Sequence, residues 1–367
     1  MEPHSVKSTP SGAASPVGGT LGAGIVNVCG CGSSGSTMLA WTLDRHPEIA
    51  CGDELFLFCV PLLYDDYPRF RRHRRLYRHI GVSGNPYHQG RAIFRQASAY
   101  GLARSALWRM AGEAHGINEL AAAVQDHVRA RTGKRLWAEK TPRNIRVIGK
   151  FVEAFPEAMV IHIVRDPRDV LLSLARRGKP LLEAAETWIA STAAIAPHRR
   201  NPRLLEVRYE DLCREPDATL ARICAFLGVP FDPDDFRSDR FESRGLGKFA
   251  GHASWTQNPG QGFSAASIGR HRTVDFDWNA LAGIRLTEGY AALLGTPPLR
   301  LGELAAHYGY DLRDTADRGD GTPFETLDTA WRLDPMRRRL DALLDMPAYV
   351  PMVEHQPLAS YDLIESR

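Results

Sequence analysis

Val160–Leu174 reads VIHIVRDPRDVLLSL. With Met159 in front, its first residues are apolar except for His162, the composition of a strand buried on both faces of a parallel sheet. The run stops at Arg165. Asp166 is placed to cap the next helix and Pro167 suits its first turn, so a helix is predicted from Pro167 to about Arg177. This element holds a guanidinium, Arg165, at a strand end and a hydroxyl, Ser173, on the helix that follows. Both can reach one phosphate where the strand order of an open sheet reverses. A dinucleotide-dependent oxidoreductase has no use for such an element.

Upstream, Ile25–Cys29 is a second apolar run, followed by the loop GCGSSGST (Gly30–Thr37) and a predicted helix from Ser36 to Arg45. A glycine loop between strand and helix presents backbone N–H groups to an anion. Three patterns fit it. As GxGxxG, with Asp53 or Glu54 downstream, it matches a dinucleotide fingerprint. As GxxxxGxT it approaches a Walker A loop, but Ser36 stands where the lysine belongs, which argues against an ordinary ATPase or kinase. As SSGST it matches a 5′-phosphosulfate loop. The loop alone leaves these open.

The surrounding chain predicts an α/β protein with a P-loop-like three-layer sandwich, a central parallel sheet flanked by helices. Glu48–Glu54 (EIACGDE) reads as a strand ending in two acids, of which strand alternation should turn only one toward the cleft. Residues 55–135 read as a helical insertion. Residues 203–212 read as a strand entering a helix, 218–229 as a helix, 232–275 as a long loop suited to a lid, and 277–295 as helical. The expected organisation is a disordered tail over 1–20, one catalytic domain over 21–310 and a C-terminal extension over 311–367.

Four blocks in order resemble the PAPS-dependent sulfotransferase family (PAPS is 3′-phosphoadenosine 5′-phosphosulfate): SSGST at 33–37, AEKTPRN at 138–144, the Arg165–Ser173 element, and VRYEDL at 207–212, with IGRHR at 268–272 similar to a late family loop. The machinery is most similar to the branch that holds tyrosylprotein and many bacterial sulfotransferases. The resemblance implies transfer of a sulfuryl group from PAPS to a hydroxyl, leaving PAP. It implies Glu54 as catalytic base, with Asp53 the alternate, and Lys140 as the cation on the departing oxygen. Ser33, Ser34, Gly35, Ser36 and Thr37 would hold the phosphosulfate, Arg165 and Ser173 the 3′-phosphate, and Tyr209 the adenine side, with Arg270 and Arg272 closing over the phosphate. The family's usual loop-opening cation is Ser33 here, so Lys140 or an arginine from elsewhere must carry more charge.

Composition narrows the partners. Lys and Arg number 46 against 43 acids, a net charge of +3, too small for a general nucleic-acid binder. No apolar run is long enough for a membrane helix and no signal-like segment opens the chain, so a cytoplasmic protein is expected. The six cysteines read as reduced core thiols, and Cys29-x-Cys31 has no downstream pair at zinc spacing, so no metal is expected. His162 reads as a core histidine, and Trp108, Trp137 and Trp188 as packing residues. RFRRHRRLYRH (69–79), with six arginines and two histidines, reads as a solvated helix face rather than a docking site for an acidic partner. The expected acceptor is a small-molecule or carbohydrate hydroxyl, and a homodimer is compatible with the sequence. The rival readings are an NAD(P)-dependent Rossmann oxidoreductase and a non-catalytic PAP- or anion-binding module.

Overall fold

The computed structural model describes residues 21–80, 93–94, 96–236, 263–313, 322–323 and 353–354. The predicted disordered tail lies outside these residues, as do part of the helical insertion (81–92 and 95), most of the predicted lid (237–262) and nearly all of the C-terminal extension.

In chain order the main elements are β1 (Ile25–Gly30), α1 (Ser36–Arg45), β2 (Ile49–Cys51), α2 (Leu62–Asp65), α3 (Tyr67–Ile80), α4 (Arg104–Glu113), α5 (Ile117–Thr132), β3 (Leu136–Lys140), α6 (Ile148–Ala154), β4 (Met159–Val164), α7 (Pro167–Ala175), α8 (Leu181–Ala193), β5 (Leu204–Arg208), α9 (Tyr209–Arg214) and α10 (Pro216–Leu227). The five strands form one sheet in the order β2-β3-β1-β4-β5, and every pairing is parallel. The predicted α/β architecture is the one observed. β1 is central, with β3 on one side and β4 on the other, so the strand order reverses at its carboxyl end. Open sheets bind ligands at such a point.

Strand alternation divides the core. On β1, Ile25 and Cys29 pack with insertion residues such as Leu55, Phe58 and Leu120, and with Phe151 of α6. Val26 and Val28 pack on the other face with Leu39 and Leu43 of α1 and Leu220 and Ile223 of α10. A third cluster joins α7 and α8 to the helices Glu288–Leu294 and Leu301–His307. On α3, Tyr67, Phe70 and Tyr77 are buried, Phe70 stacking on Trp108, while Arg72, Arg75 and Arg78 are exposed. His162 is buried in β4 with Nδ1 3.0 Å from Glu206 of β5, its lateral neighbour in the register. Arg199 and Tyr308 donate to the same carboxylate. All six cysteines are buried free thiols. No described helix is long and apolar enough to cross a membrane, and no described group of three or more His, Cys, Asp or Glu is placed to hold a metal ion.

Two expectations need correction. The stretch 277–295 is not one helix: a 3₁₀ turn over Trp278–Leu281 leads to a two-residue strand, Arg285–Leu286, before the helix begins at Glu288. Arg285 and Leu286 pair with Glu354 and Val353, a long-range contact that local helical spacing cannot reveal. Second, β2 ends at Cys51, so Asp53 and Glu54 lie beyond the strand and are not bound by its alternation.

Candidate functional site

The loop after β1 takes its shape from three left-handed residues: Gly30 at φ 150°, Ser33 at 70° and Gly35 at 91°. Gly30 admits no side chain, because a Cβ there would meet the Ile163 carbonyl oxygen at 2.3 Å. At Gly35 a Cβ would meet the Tyr209 ring at 2.3 Å. The first N–H groups of α1, including Ser36 and Thr37, have no partner within the helix. The Ser33 and Ser34 hydroxyls are buried with no hydrogen-bond partner. An orphaned buried hydroxyl costs about 1–3 kcal/mol, a cost that a ligand accepting hydrogen bonds would relieve. Gly35→Ala combines a disfavoured φ with overpacking, each worth about 1–3 kcal/mol. A lowered thermal midpoint is expected, measurable by thermal unfolding.

Arg165 sits against this loop. Its Nη1 donates to the Ser33 carbonyl at 3.3 Å and its Nη2 to Asp169 at 3.1 Å and the Ser267 carbonyl at 2.6 Å. Its Nε is buried and unpaired. The guanidinium lies 4.4 Å from the Tyr209 ring centroid, so Tyr209 touches both Arg165 and Gly35. The Asp-Pro turn is fixed by Asp166, which caps Arg168 N at 2.9 Å, and by Glu210, which accepts from Asp166 N at 3.0 Å. Trp188, besides packing, donates its indole N–H to the Arg165 carbonyl at 3.1 Å. Ser173 is half-buried one turn beyond Asp169, on the same face of α7.

Asp169 ties the late loop to this cluster. It accepts from Gly269 N at 2.9 Å, from His271 N at 2.9 Å and from His271 Nδ1 at 2.8 Å, as well as from Arg165. Although burial alone would raise its pKa, the His271 hydrogen bonds and the Arg165 charge outweigh that and hold the carboxyl at about 2. Of the predicted phosphate-closing arginines, Arg270 is half-buried and reaches the Ser267 hydroxyl at 3.5 Å, whereas Arg272 is exposed and folds over Gly269 of its own loop. Because Asp169 is depressed, its stabilisation is present above the unfolded carboxyl pKa of about 3.9 and disappears as pH falls toward 2, a contribution of about 2 kcal/mol. Acid unfolding followed by circular dichroism is therefore expected to lack this portion in Asp169→Asn, which would also start from a lower stability at pH 7.

On the other side of β1, Lys140 ends β3 beside Val28 and is fully buried. Its ammonium lies 3.1 Å from Glu54 Oε1, 3.4 Å from Asp53 Oδ1 and 3.4 Å from Thr37 Oγ1. Burial alone would lower its pKa, but Glu54 and Asp53 outweigh burial and raise it, so the site keeps a protonated amine. The expectation that only one acid faces the cleft is overturned: both reach Lys140, because the irregular chain after Cys51 is free of strand alternation.

The structure also identifies Glu139, which the sequence reading passed over. Alternation turns it to the opposite face from Lys140, where it is fully buried. It accepts from Leu55 N at 3.0 Å, from Thr141 Oγ1 at 2.6 Å and from Asn144 Nδ2, while Thr141 Oγ1 accepts from Phe56 N at 3.2 Å. These bonds hold the chain immediately after Glu54 on the end of β3. A glutamate beside Lys140 in an apolar strand was the available signal. Glu139→Gln sets an amide N–H against one of these donors and is expected to lower the thermal midpoint, which thermal unfolding would measure.

Residues 26–233, more than half of the chain, match the sulfotransferase family. Among solved structures, the sulfotransferase domain of the Synechococcus PCC 7002 olefin synthase is 24% identical, with 80% of this chain and 97% of that chain covered and a TM-score of 0.55. The sulfotransferase domain from the curacin biosynthetic pathway is 18% identical, covering 90% and 99%, with a TM-score of 0.45. A Mycobacterium avium sulfotransferase is 13% identical, covering 79% and 78%, with a TM-score of 0.40. Comparison with curated proteins gives no match.

Proposed function

Because the chain belongs to the sulfotransferase family, we propose that it moves a sulfuryl group from PAPS to a hydroxyl of a small-molecule or carbohydrate acceptor, giving a sulfate ester and PAP. The observation that carries this reading is the Lys140 ammonium, buried at the loop mouth between Glu54, Asp53 and Thr37.

The residues suit the donor. The unpaired Ser33 and Ser34 hydroxyls and the first N–H groups of α1, from Ser36 and Thr37, would hold its 5′-phosphosulfate end. Arg165, with a free buried Nε, would hold the 3′-phosphate, joined by Ser173 and by Arg270 and Arg272 of the late loop. Tyr209, wedged between Gly35 and Arg165, would line the adenosine side.

Glu54 acts as base: it takes the acceptor proton as the acceptor oxygen forms its bond to sulfur and the bond from sulfur to the phosphate oxygen breaks. Lys140 meets the negative charge growing on that departing oxygen, and the loop donors neutralise the rest. By analogy with phosphoryl transfer, little is asked of the protein beyond position and charge. Asp53 keeps the amine protonated and aligned.

Transfer of labelled sulfate from PAPS across phenols, sugars and alcohols, with mass spectrometry of the product, tests the reading. A product heavier by one SO3 group and a thermal shift with PAP are expected. A shift with NAD(H) and none with PAP would overturn PAPS as the donor, and PAP binding without transfer would favour the non-catalytic reading.

A further inference from the structure

Directly after Lys140 and Thr141 the chain forms a 3₁₀ turn over Pro142–Val147. Such a turn has three residues per revolution, so positions i and i+3 eclipse, and Arg143 and Arg146 project on the same side. The turn is firmly seated: Asn144 is fully buried and bridges Glu139 to Asn27 of β1, the latter at 2.9 Å. Arg143 is half-buried, yet among the described residues none hydrogen-bonds or ion-pairs with it.

The charges around Arg143 are Arg146, Glu54 and Glu183, with the Cys59 thiol also in range. Cys59 in turn feels the charges of both Arg143 and Glu54. Neither carboxylate belongs to Arg143, since Glu54 pairs with Lys140 and Glu183 with Lys179. Burial, and then the like charge of Arg146, lower the Arg143 pKa. A guanidinium in that position is relieved by an anion.

Topology indicates which anion. Arg165, Asp169 and Tyr209 follow β4 and β5, on one side of β1, whereas Arg143 follows β3, on the other side, two residues after Thr141, whose hydroxyl accepts from Phe56 N just beyond Glu54. The nucleotide's 3′-phosphate belongs to the first side. We propose that Arg143, with Arg146 beside it, forms an anion subsite on the acceptor side of Glu54, so that the preferred acceptor carries a carboxylate, sulfate or phosphate near the hydroxyl that receives the sulfuryl group. This rests on the sulfotransferase reading and adds the substrate class. It also gives Arg143 a role distinct from that of Lys140: it selects and orients the acceptor and leaves the departing oxygen to Lys140.

The test uses acceptors with the same hydroxyl groups, charged or esterified: 4-hydroxyphenylacetate with its methyl ester, and methyl glucuronide with its C6 methyl ester. Each is assayed for transfer from PAPS and titrated into PAP-saturated protein. The full chain is expected to favour the carboxylate member of at least one pair by tenfold or more. Arg143→Gln loses that preference through KM or affinity, with kcat within about twofold and PAP affinity unchanged, and Arg143→Lys recovers part of it. Thermal unfolding of each variant separates this from failure to fold, and Arg146→Gln provides a second variant for the same readout. Equal treatment of both members by the unaltered protein, or no binding of either, overturns the proposal. So does a fall in kcat common to charged and neutral acceptors in Arg143→Gln, which would put Arg143 on the transferring group instead. Absence of PAP binding to the unaltered protein would be a different result, striking the sulfotransferase reading itself.

Discussion

Glu54→Gln is expected to lower sulfate transfer by at least about 100-fold, the usual scale for removing a general base, while PAP binds as before. The substitution keeps the side chain's size and removes its ability to take a proton. Glu54 lies 3.1 Å from Lys140 and is separated from the Arg165 cluster by β1, so the nucleotide grip has no reason to change. Single-turnover transfer from labelled PAPS measures the chemical step, and calorimetric titration measures PAP affinity. Asp53→Asn serves as the control, because both acids touch Lys140 and only one is assigned the proton. If Glu54→Gln turned over normally and Asp53→Asn did not, the base would be Asp53.

Lys140→Met should be the more damaging change. As a donor to the departing oxygen, Lys140 is worth about 100- to 1000-fold in kcat by comparison with oxyanion-type donors. It also holds two carboxylates together. Removing one partner of a buried pair costs about 3–5 kcal/mol, and the lower end applies here because Asp53 and Glu54 remain about a quarter exposed, at 23% and 27%. The pH dependence gives a separate signature. Since the folded pKa of Lys140 is raised, its stabilisation is complete below the unfolded lysine value of about 10.4 and is lost as pH rises through the folded value. Chemical unfolding between neutral and strongly alkaline pH should show that loss in the unaltered protein and not in Lys140→Met. A Met variant with unchanged kcat would remove Lys140 from the chemistry, whatever its stability.

The two blocks that pointed to nucleotide chemistry were legible in the sequence because their signals are local. In β4 and α7 an apolar run, a capping aspartate and a helix-starting proline lie within about fifteen consecutive residues, and β4 starts and ends at the predicted residues, Met159 and Val164. The loop after β1 was legible because its glycines are required by the backbone itself. β3 was less visible: LWAEK carries two charges that a buried strand normally excludes, and only its neighbours explain them. Glu139 is satisfied by Leu55, Thr141 and Asn144, and Lys140 by Asp53 and Glu54. The pairing of both acids with one lysine went unforeseen because it depends on where β2 ends, which the sheet decides.

By itself, then, the amino-acid order determined the parallel α/β plan, the glycine turn after β1 and the Arg165 element, all products of short-range backbone preference and apolar spacing. Only the tertiary structure decided that Lys140 meets Glu54, 86 positions away along the chain, that Asp169 draws a loop from a hundred residues on toward Arg165, and that Arg143 sits half-buried after β3 with no hydrogen-bond or ion-pair partner among the described residues. The physical reason is strand register. Hydrogen bonding aligns β3, β1 and β4 at their carboxyl ends, and distant side chains acquire one another as neighbours only when that alignment forms.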